Sequence, residues 1–339
     1  MKILVGLSGG LDSTYVAYLL KEMGHDVTGA AVVMHEWTDV SASREVADHL
    51  GIPYVEIDMK SAFEKEVVDP FCDAYIHAKT PNPCIFCNPR IKFAALCDYA
   101  EANGFDKVAT GHYSEIFCEN GRYYIHSATD KTRDQSYVLW GLSQKQLSML
   151  TLPLAGLVKS EIREKARAVG LKAADAAESR EICFIPSNDY ADFICRRTGK
   201  TFPEGNFLDE DGKVVGRHKG IIKYTIGQRK GLGLAMNGHV FVNKIDAESN
   251  TVTVVREGKE FTSSASASGL NFQKSAPFEG KLRALVKIRY AAKPAWADVE
   301  IADGIAKISF DEPVRAVTPG QSAVFYDENG DLLFGGIFE

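Results

Sequence analysis

The segment Ser8-Gly9-Gly10-Leu11-Asp12-Ser13, called the Ser8 loop below, constrains the fold of this chain more than any other. It follows an apolar run at residues 2–7 and precedes residues 14–20, whose apolar positions recur at helical spacing. This pattern predicts a buried strand, a glycine-rich turn and a helix start. Two adjacent glycines let backbone N–H groups approach an anion, and the helix N-terminus adds positive partial charge. Because Ser8 and Ser13 can donate further hydrogen bonds, we expect a phosphate or pyrophosphate to bind here.

The same turn has a simpler interpretation as a tight connection between a strand and a helix, without a ligand. The serines and Asp12 around the glycines favour phosphate binding. The loop lacks both the lysine that closes a P-loop and the G-x-G-x-x-G spacing of dinucleotide-binding folds. It resembles the S-G-G-x-D-S loop of the ATP pyrophosphatases, enzymes that cleave ATP to AMP and pyrophosphate and adenylate a carbonyl oxygen.

Composition narrows the classes of protein that fit this chain. With 339 residues, 45% of them hydrophobic, the chain can form large cores and is predicted to hold two or three domains. No apolar run is long enough to span a membrane, and the first residues enter a strand at once. We therefore expect a cytoplasmic protein without a signal peptide or a membrane partner. The seven cysteines are then expected to be thiols rather than a disulfide framework.

The formal net charge of −6 argues mildly against a nucleic-acid partner. Screening weakens this objection, because the Debye length is roughly 8 Å at physiological salt and a local basic face can still bind phosphates. Each basic cluster alone is more typical of a solvated surface than of a binding site, but the clusters concentrate after residue 158. They lie at residues 159–167, 196–200, 217–223, 229–230 and 287–289.

The first half of the chain alternates predicted strands and helices. Further strands are predicted at residues 26–34, 53–57 and 107–112, and further helices at residues 43–50 and 92–101. This alternation indicates a parallel sheet with right-handed crossovers, whose ligands bind at the carboxyl ends of the strands. The Ser8 loop, the region of Met34 and Thr110-Gly111-His112 should therefore lie along one rim of the sheet.

Beyond about residue 203 the pattern changes. Turn signals such as Asp209-Glu210-Asp211-Gly212 and Asn237-Gly238 separate short runs of alternating hydrophobicity, for example residues 252–255 and 281–288. This pattern predicts an all-β half built of small barrels. Residues 261–269, which are rich in serine and alanine, fit either a linker or an exposed strand.

Three cysteines differ from the others by their context. Cys84 and Cys87 form a C-x-x-C in a loop with three prolines, and Cys183 lies in Ile182-Cys183-Phe184-Ile185. A C-x-x-C alone fits a redox pair, metal ligands or two incidental thiols. For the other cysteines we predict the role of small buried hydrophobic residues. They are Cys72, Cys97, Cys118 and Cys195.

Seven segments, in this order, resemble those of the bacterial and organellar tRNA-specific 2-thiouridylases. They are the Ser8 loop, Thr80-Pro81-Asn82-Pro83 with Cys87-Asn88, Ala109-Thr110-Gly111-His112-Tyr113, Asp134-Gln135-Ser136-Tyr137, Ile182-Cys183-Phe184-Ile185, residues 225–233 and residues 318–326. The resemblance covers nearly the whole chain and implies an α/β fold with three domains. Residues 1–203 would form an adenine nucleotide alpha hydrolase-like ATP pyrophosphatase domain with a parallel sheet, residues 204–262 a small β domain, and residues 263–339 a C-terminal β-barrel that binds tRNA.

The resemblance implies ATP-dependent 2-thiolation of the wobble uridine of tRNA, with Mg²⁺ as a second cofactor. ATP adenylates the C2 oxygen of the uridine, and a persulfide on Cys183 then supplies sulfur to the activated carbon. Cys87 is the partner thiol that frees the sulfur or forms a disulfide with Cys183, and the sulfur comes from a donor protein or from free sulfide. The ATP-binding residues implied in this way are Gly6, Leu7, Ser8, Gly9, Gly10, Leu11, Asp12, Ser13, Val32, Met34 and Gly111.

The RNA partner implied by the resemblance is the anticodon stem-loop of tRNA. Reading a base in the pocket requires flipping it out, which an unpaired loop makes inexpensive. For His112 and Gln321 the alternative is ordinary hydrogen bonding within the fold. The residues implied to contact the RNA are Asn82, Pro83, Cys84, His112, Arg133, Asp134, Gln135, Arg289, Tyr290 and Gln321.

Two positions depart from the family pattern. Cys84 stands where the family commonly has an aspartate thought to act as acid or base, and residues 178–181 replace the D-S-T-G often found before the second cysteine. Three thiolates, Cys84, Cys87 and Cys183, beside an ATP site could hold a 4Fe–4S cluster with one iron left open. The alternatives are a persulfide mechanism with Cys84 as a resolving or spare thiol, and a structural zinc with His112 as fourth ligand.

The mechanism requires a thiolate, whereas a free cysteine with a pKa of about 8.5 is mostly protonated at neutral pH. Arg90 or Arg180 is the hypothesised cation that lowers this pKa. Two other functions also fit the Ser8 loop: an amidating or condensing ATP pyrophosphatase ligase, and an RNA-binding module that has lost its activity. The paired cysteine segments argue against the ligase, and the intact loop argues against the inactive module.

Overall fold

The computed structural model describes residues 1–175 and 182–339, and its N-terminal part is built on a five-stranded parallel sheet. The strands of this part are β1 (Lys2–Gly6), β2 (Asp26–Val33), β3 (Tyr54–Asp58), β4 (Lys107–Ala109), β5 (Ser114–Glu119), β6 (Arg122–Ser127) and β7 (Leu150–Thr151). The sheet has the order β3-β2-β1-β4-β7 with parallel pairing throughout, and β5 and β6 form a separate antiparallel pair. The predicted parallel sheet is confirmed.

Helices surround this sheet. They are α1 (Leu11–Glu22), α2 (Ser41–Leu50), α3 (Lys60–Phe63), α4 (Asp69–Ile76), α5 (Pro83–Cys87), α6 (Phe93–Ala102), α7 (Gln144–Met149), α8 (Lys159–Ala168) and α9 (Tyr190–Thr198). Two π-helical turns occur in the described part of the chain, at Glu64–Val68 and Asn88–Lys92. The helix predicted at residues 92–101 therefore begins one residue later, because Lys92 still belongs to the wider turn.

The alternation of side chains along β1 explains how helices cover both faces of the sheet. Ile3 and Val5 belong to a core that contains residues of α1, whereas Leu4 packs into a second core with Leu96 of α6 and Val108. None of the three β1 side chains has exposed surface. A strand buried on both faces reads as a continuous apolar run, which is the pattern of residues 2–7. Burial of each such side chain stabilises the fold by about 1.5–3 kcal/mol.

The order of the strands places a switch point beside β1. The chain runs outward from β1 through β2 to β3, and then returns to the other side of β1 to form β4. In open α/β sheets, ligands bind in the crevice outside the carboxyl ends of the strands at such a point. The segments that follow these two ends are the Ser8 loop after β1 and Thr110-Gly111 after β4.

The middle of the chain forms a four-stranded sheet. Its strands are β8 (Gly205–Leu208), β9 (Val214–His218), β10 (Val240–Asp246) and β11 (Thr251–Arg256), in the order β10-β11-β8-β9. The pair β11–β8 is parallel and the other pairs are antiparallel. The prediction of an all-β half is confirmed, but within the residues described this part is a sheet rather than a closed barrel.

The last part of the chain is a closed six-stranded barrel. Its strands are β12 (Phe261–Phe272), β13 (Gly280–Lys287), β14 (Ala295–Ala302), β15 (Ile305–Arg315), β16 (Ser322–Tyr326) and β17 (Leu332–Phe338). Residues 261–269 lie within β12, so the strand alternative is confirmed and the linker alternative is wrong. Phe325 and Phe334 stack inside the barrel with their ring centroids 4.2 Å apart.

Buried hydrogen bonds fix the barrel against the N-terminal part. Trp140 Nε1 donates to Ser322 Oγ at 2.8 Å, and the Tyr137 hydroxyl donates to the Ser322 carbonyl at 3.0 Å. Gln273, which has no exposed surface, accepts from the Ile125 amide and donates to the Trp140 carbonyl. Because unpaired polar groups are costly in such an interior, these bonds specify one arrangement of the two parts.

The four cysteines predicted to be buried do not all share that environment. Cys72 and Cys97 are buried as predicted. Cys118 is exposed and Cys195 is only half-buried, so the prediction is wrong for these two. Cys118 belongs to the two-stranded β5–β6 hairpin, where most of β5 faces solvent. Within the described residues, we find no helix with the length and apolar character needed to cross a bilayer.

Gly335 in β17 gives a test of the interface between the barrel and the N-terminal part. A Cβ atom at this position would lie 2.5 Å from the Trp140 ring. We expect Gly335→Ala to reduce the free energy of unfolding by about 1–3 kcal/mol through overpacking, and thermal denaturation would measure this as a lower Tm. The matched control is Gly156→Ala, whose added Cβ meets no atom within 4 Å. Equal Tm values for the two variants would contradict the packing described.

Candidate active site

A cavity of about 800 Å³ lies at the carboxyl end of the parallel sheet. Residues from several separate segments line it, and eleven of them are site residues predicted from the sequence. These lining residues include Gly6, Leu7, Ser8, Asp12, Ser13, Val32, Met34, Gly111, His112, Gln135 and Cys183. The structure therefore brings the Ser8 loop, the end of β2 and the second cysteine segment together around one space. Its volume is within the range of small-molecule sites.

The Ser8 loop is closed by its own side chains. The Ser8 amide donates to Ser13 Oγ at 3.1 Å, and the Ser13 hydroxyl donates to the Gly10 carbonyl at 3.2 Å. Gly9 has a φ of +75°, and a Cβ atom there would lie 2.5 Å from the Cβ of Ala42. Helix α1 begins directly after Gly10, so its free backbone N–H groups and positive partial charge lie at the loop. Of the loop, Gly9, Gly10 and Leu11 lie outside the cavity lining, and Leu11 is buried in the core.

Gly111 lies directly against the Ser8 loop. A Cβ atom on Gly111 would lie 2.8 Å from the Ser13 amide nitrogen and 2.9 Å from two atoms of Asp12. Its φ is not in the left-handed region, so space rather than backbone conformation requires glycine here. The contact joins the segment after β4 to the start of α1 across the switch point.

Asp12 is held by two residues that the sequence analysis did not assign to the site. The Tyr113 hydroxyl donates to one carboxylate oxygen at 2.7 Å, and Lys159 Nζ lies 2.9 Å from the other. Lys159 is the first residue of α8, 147 positions along the chain from Asp12. The available signal was its membership of the basic cluster at residues 159–167, which does not identify a partner.

The first cysteine segment, residues 80–87, is called the cysteine loop below. Asn82 caps α5, because its side-chain oxygen accepts a hydrogen bond from the Cys84 amide at 3.1 Å, and Pro83 fits the first helical position. Cys84 is exposed at the start of this short helix. Cys87 is buried at its end, with its sulfur 3.7 Å from the sulfur of Met34. Neither of these two cysteines lines the cavity, whereas Cys183 does.

A corner of the barrel holds the cysteine loop. Gln321 Nε2 donates to the Thr80 carbonyl at 2.6 Å, and the Thr80 amide donates to the Pro319 carbonyl at 2.9 Å. Gly320, between these partners, has a φ of +90°. A Cβ atom added to it would lie 3.1 Å from the Thr80 amide nitrogen. In this structure, Gln321 makes hydrogen bonds within the fold, which was the alternative to RNA contact.

Burial raises the pKa of two thiols, Cys87 beside Met34 and Cys183 in the cavity. It raises the pKa of Cys87 to about 12, and Lys92 opposes this shift. Cys183 reaches solvent through the cavity, but the protein around it still raises its pKa, again against the effect of Lys92. Arg90 is exposed, pairs with Glu66 at 3.3 Å, and is not among the groups that shift either thiol. The hypothesis that Arg90 lowers the pKa is therefore wrong, and Arg180 lies outside the described residues.

Lys92 is a further functional candidate that sequence reasoning missed. It is half-buried and is the single lysine or arginine among the described residues that line the cavity. The signal that could have found it is its position five residues after Cys87. His112 lies in the same cavity, where burial and then the charge of Lys92 lower its pKa to about 3, so its imidazole is neutral at physiological pH. The ring centroids of His112 and Phe93 are 5.4 Å apart, and Nδ1 of His112 is 2.9 Å from Thr110 Oγ1.

The other residues that the resemblance assigns to RNA contacts lie in different places. Gln135 lines the cavity, whereas Arg133 lies beside Lys159 in a smaller depression. The Asp134 carboxylate is buried and accepts from the Ala128 amide and the Ser136 hydroxyl, so it supports the fold. Residues 289–290 follow β13, where Tyr290 is 43% exposed. Residues 178–181 lie outside the part of the chain that the structure describes.

The hypothesised metal sites gain no support from this geometry. Across residues 1–175 and 182–339, no three His, Cys, Asp or Glu side chains are arranged to hold a metal ion. Cys84, Cys87 and Cys183 all belong to the residues described, as does His112. As placed, they form neither a 4Fe–4S ligand set nor a zinc site.

Comparison with known proteins identifies the family. Three family models match in succession: a tRNA methyl transferase HUP domain over residues 1–187, a tRNA methyl transferase PRC-barrel domain over 191–256, and an aminomethyltransferase beta-barrel domain over 262–338. The tRNA-specific 2-thiouridylase MnmA 1 of Clostridium tetani is 44% identical over 350 residues, covering 100% of this chain and 96% of that protein. This chain belongs to the tRNA-specific 2-thiouridylase family.

Other 2-thiouridylases show the same full-length similarity. MnmA of Clostridium acetobutylicum is 44% identical, covering 99% of this chain and 98% of that protein. Among solved structures, a predicted subunit of tRNA methyltransferase from Methanocaldococcus jannaschii has a TM-score of 0.35 and 18% identity, covering 49% of this chain and 76% of that one. The structural likeness is too weak to add to the assignment, which rests on the sequences.

Gly111 gives a test of the cavity in this 2-thiouridylase. We expect Gly111→Ala to weaken ATP binding about tenfold or more, because the added methyl group displaces the backbone at Ser13 and Asp12. Overpacking costs about 1–3 kcal/mol, and about 1.4 kcal/mol corresponds to tenfold in affinity. Calorimetric titration with ATP measures the effect, with Gly156→Ala as the control. Unchanged affinity with a native fold would show that the contact does not shape the nucleotide site.

The ionisation of Cys87 gives a second test. Because its pKa is raised, the thiolate fraction at a given pH is smaller than for a free cysteine, and alkylation should accelerate about tenfold per pH unit without a plateau below about pH 11. Exposed Cys84 should react first. Iodoacetamide labelling read by mass spectrometry of each cysteine peptide measures both rates. A plateau of the Cys87 rate near pH 8 would contradict the burial described.

Proposed function

We propose that this chain is a tRNA-uridine 2-sulfurtransferase, which uses ATP to replace the C2 oxygen of the wobble uridine by sulfur. The observation that carries the proposal is that the Ser8 loop and Cys183 line one cavity. A phosphate-binding loop and a sulfur nucleophile are the two parts this reaction must bring together. The full-length relatives named tRNA-specific 2-thiouridylase support the same reaction.

ATP binds with its phosphates at the Ser8 loop in this proposal, and its adenosine lies near Gly111, Val32 and Met34, which line the same cavity. Backbone N–H groups at the start of α1 and the serine hydroxyls hold the phosphate oxygens. The donor set also fits Mg²⁺, a cation that takes carboxylate and phosphate oxygens, because Asp12 places a carboxylate at the loop. Asp12 would hold the ion, which neutralises phosphate charge when it is bound.

Adenylation solves the first chemical problem of the reaction. A uridine carbonyl is a poor electrophile, and its oxygen is a poor leaving group. Attack of the C2 oxygen on the α-phosphorus of ATP forms a C–O–P linkage and expels pyrophosphate, after which the oxygen can leave as part of AMP. Neutral His112 and Gln135 line the cavity and can offer hydrogen bonds to the flipped base.

Sulfur transfer then uses two of the three cysteines. The terminal sulfur of a Cys183 persulfide attacks C2, and the C2–O bond breaks as AMP leaves with the oxygen and the bonding electron pair. Cys87, after losing its proton to solvent, attacks the inner sulfur of Cys183. The bond between Cys183 Sγ and the transferred sulfur breaks, and its electron pair stays on the transferred sulfur, which is bound to C2 of the uridine. Cys87 and Cys183 are left as a disulfide. A thiol reductant restores both thiols, and a donor persulfide recharges Cys183.

The placement of the thiols supports these roles. Cys183 faces the cavity and can meet the uridine, whereas buried Cys87 is protected from other electrophiles and close enough to Cys183 for the two ionisations to interact. Cys84 is exposed, lies in the cysteine loop and would be a spare or resolving thiol. A 4Fe–4S cluster takes no part in the proposed reaction, because the sulfurs of Cys84, Cys87 and Cys183 are not arranged as its ligands.

The RNA would be held by the barrel and the segments around the cavity mouth. We assign nucleotide and sulfur chemistry to residues 1–203, and the anticodon stem-loop to contacts made by these residues together with residues 263–339, with residues 204–262 between them. Asn82 and Pro83 lie beside the cysteines. Exposed Tyr290 beside Lys287, whose ammonium is 5.6 Å from the Tyr290 ring, offers a stacking surface for an unpaired base.

The test is single-turnover thiolation of an anticodon stem-loop by the full-length chain, with ATP and Mg²⁺. The protein is prepared without oxygen in an iron-free form charged with persulfide and in an iron-loaded form. We expect the iron-free protein to release one pyrophosphate per 2-thiouridine formed, only when the stem-loop is present. Cys183→Ser should lose thiolation, with Cys195→Ser as the matched control, since Cys195 lies away from the cavity.

Two outcomes of this experiment would contradict the proposal. Pyrophosphate release that depends on an amine or amino acid instead of RNA would indicate the amidating or condensing ligase. Product from the iron-loaded protein alone, with loss of its visible absorbance in Cys84→Ser, would make Cys84, Cys87 and Cys183 ligands of a 4Fe–4S cluster.

A further inference from the structure

Lys92 is a cation without an assigned partner in the described part of the cavity. It is half-buried, and no carboxylate of the described residues lies within ion-pair distance of it. Asp12, the carboxylate of the Ser8 loop, is instead bound by Lys159 and Tyr113. Partial removal of a charge from water without a counter-ion is costly, so such a group is expected where an anion binds during function.

The local backbone explains how Lys92 reaches the cavity that Cys183 lines. It ends the π-helical turn Asn88–Lys92, in which the Phe93 amide donates to the Asn88 carbonyl five residues earlier. A π turn adds one residue to the helical repeat, and such turns occur frequently at functional sites. Here the wider turn follows directly on α5, which ends at Cys87, and Lys92 at the end of the turn lines the same cavity as Cys183.

Three thiols interact electrostatically with the Lys92 ammonium. Burial alone would lower the pKa of Lys92, but Cys87, Cys84 and Cys183 outweigh this effect and raise it. The same coupling opposes the rise in the pKa values of Cys87 and Cys183. Lys92 therefore stabilises negative charge on sulfur at each of these positions, and none of the groups that shift its pKa belongs to the Ser8 loop.

We propose that Lys92 is a further catalytic residue, whose ammonium binds the anionic sulfur during transfer from Cys183 to the activated uridine. The inference rests on the proposed sulfurtransferase function and adds a residue to it. When the persulfide attacks C2, its charge passes into the C–S bond as AMP leaves with the C2–O electron pair. When Cys87 then attacks Cys183, the departing sulfur receives the electron pair of the broken S–S bond. Lys92 remains protonated and pairs with the sulfur that carries charge at each stage.

Phosphate binding is the competing role for a lysine in a nucleotide cavity. The Ser8 loop and the N-terminus of α1 already supply donors for phosphate, and Lys159 lies beside Asp12. The groups that interact electrostatically with Lys92 are the three thiols and His112. The sulfur role therefore predicts that adenylation survives the loss of this lysine, whereas the phosphate role predicts that it does not.

The test compares Lys92→Met with Lys92→Arg and with Arg90→Met. Arg90 is an exposed cation two residues away that pairs with Glu66 on the surface, so its variant controls for removing a nearby charge. Full-length proteins are charged with persulfide, and the load on Cys183 is measured by cyanolysis. Pyrophosphate and 2-thiouridine are then followed in a single turnover with ATP and an anticodon stem-loop.

We expect Lys92→Met to carry a normal persulfide load and to release pyrophosphate at a rate close to that of the wild type. Its rate of 2-thiouridine formation should fall about 10²-fold, the usual loss when one preorganised charge-stabilising group is removed. Lys92→Arg should recover most of this rate, and Arg90→Met should match the wild type. This split between two half-reactions is not produced by a general loss of structure.

The remaining outcomes overturn the inference. Equal loss of pyrophosphate release and thiolation in Lys92→Met would make Lys92 a phosphate ligand. Thiolation equal to that of Arg90→Met would make it a bystander. If the wild type itself forms no 2-thiouridine, the proposed function fails rather than the role of Lys92. If Lys92→Met does not fold, the decision rests on Lys92→Arg. A folded Lys92→Arg protein that shows no thiolation above background would exclude a role for the charge.

Discussion

The contact of Gly111 with the backbone at Ser13 is the constraint on which the rest of the site depends. Strands β1 and β4 are neighbours in a sheet, so the segments that leave their ends must separate to form a crevice. Here they remain in van der Waals contact at one point, since a single added carbon would lie 2.8 Å from the Ser13 nitrogen. The cavity therefore opens on the side of β2 and Cys183, where Met34 and Lys92 form its walls.

Much of the fold followed from pattern alone. The alternating strands and helices of the first half, and the position of the Ser8 loop at a sheet rim, depend on local periodicity and on the rules of parallel sheets. The start of α6 was missed by one residue because a π turn leaves no mark in the periodicity. The middle β segment also shows why strand patterns do not determine closure: barrel or open sheet depends on pairing between edges that are distant in sequence.

The site was predicted only where chemistry is carried by a recognisable motif. Ser8, Gly111 and Cys183 were identified from motifs, and they meet at one cavity. Lys159 and Lys92 were missed because a lysine is usually a surface residue, and its partner is set by the fold. The proposed effect of Arg90 was wrong for the same reason: proximity in sequence to Cys87 does not determine which cation shares its interior, and Arg90 turns outward to Glu66.

The 2.6 Å hydrogen bond from Gln321 to the Thr80 carbonyl joins the barrel directly to the cysteine loop. Because Thr80 also donates to Pro319, this corner constrains the cysteine loop through two backbone-directed bonds. The barrel is closed, so no free strand edge is left at this corner. The position of the cysteine loop is therefore set by the barrel as well as by the parallel sheet, although 241 positions of sequence separate Thr80 from Gln321.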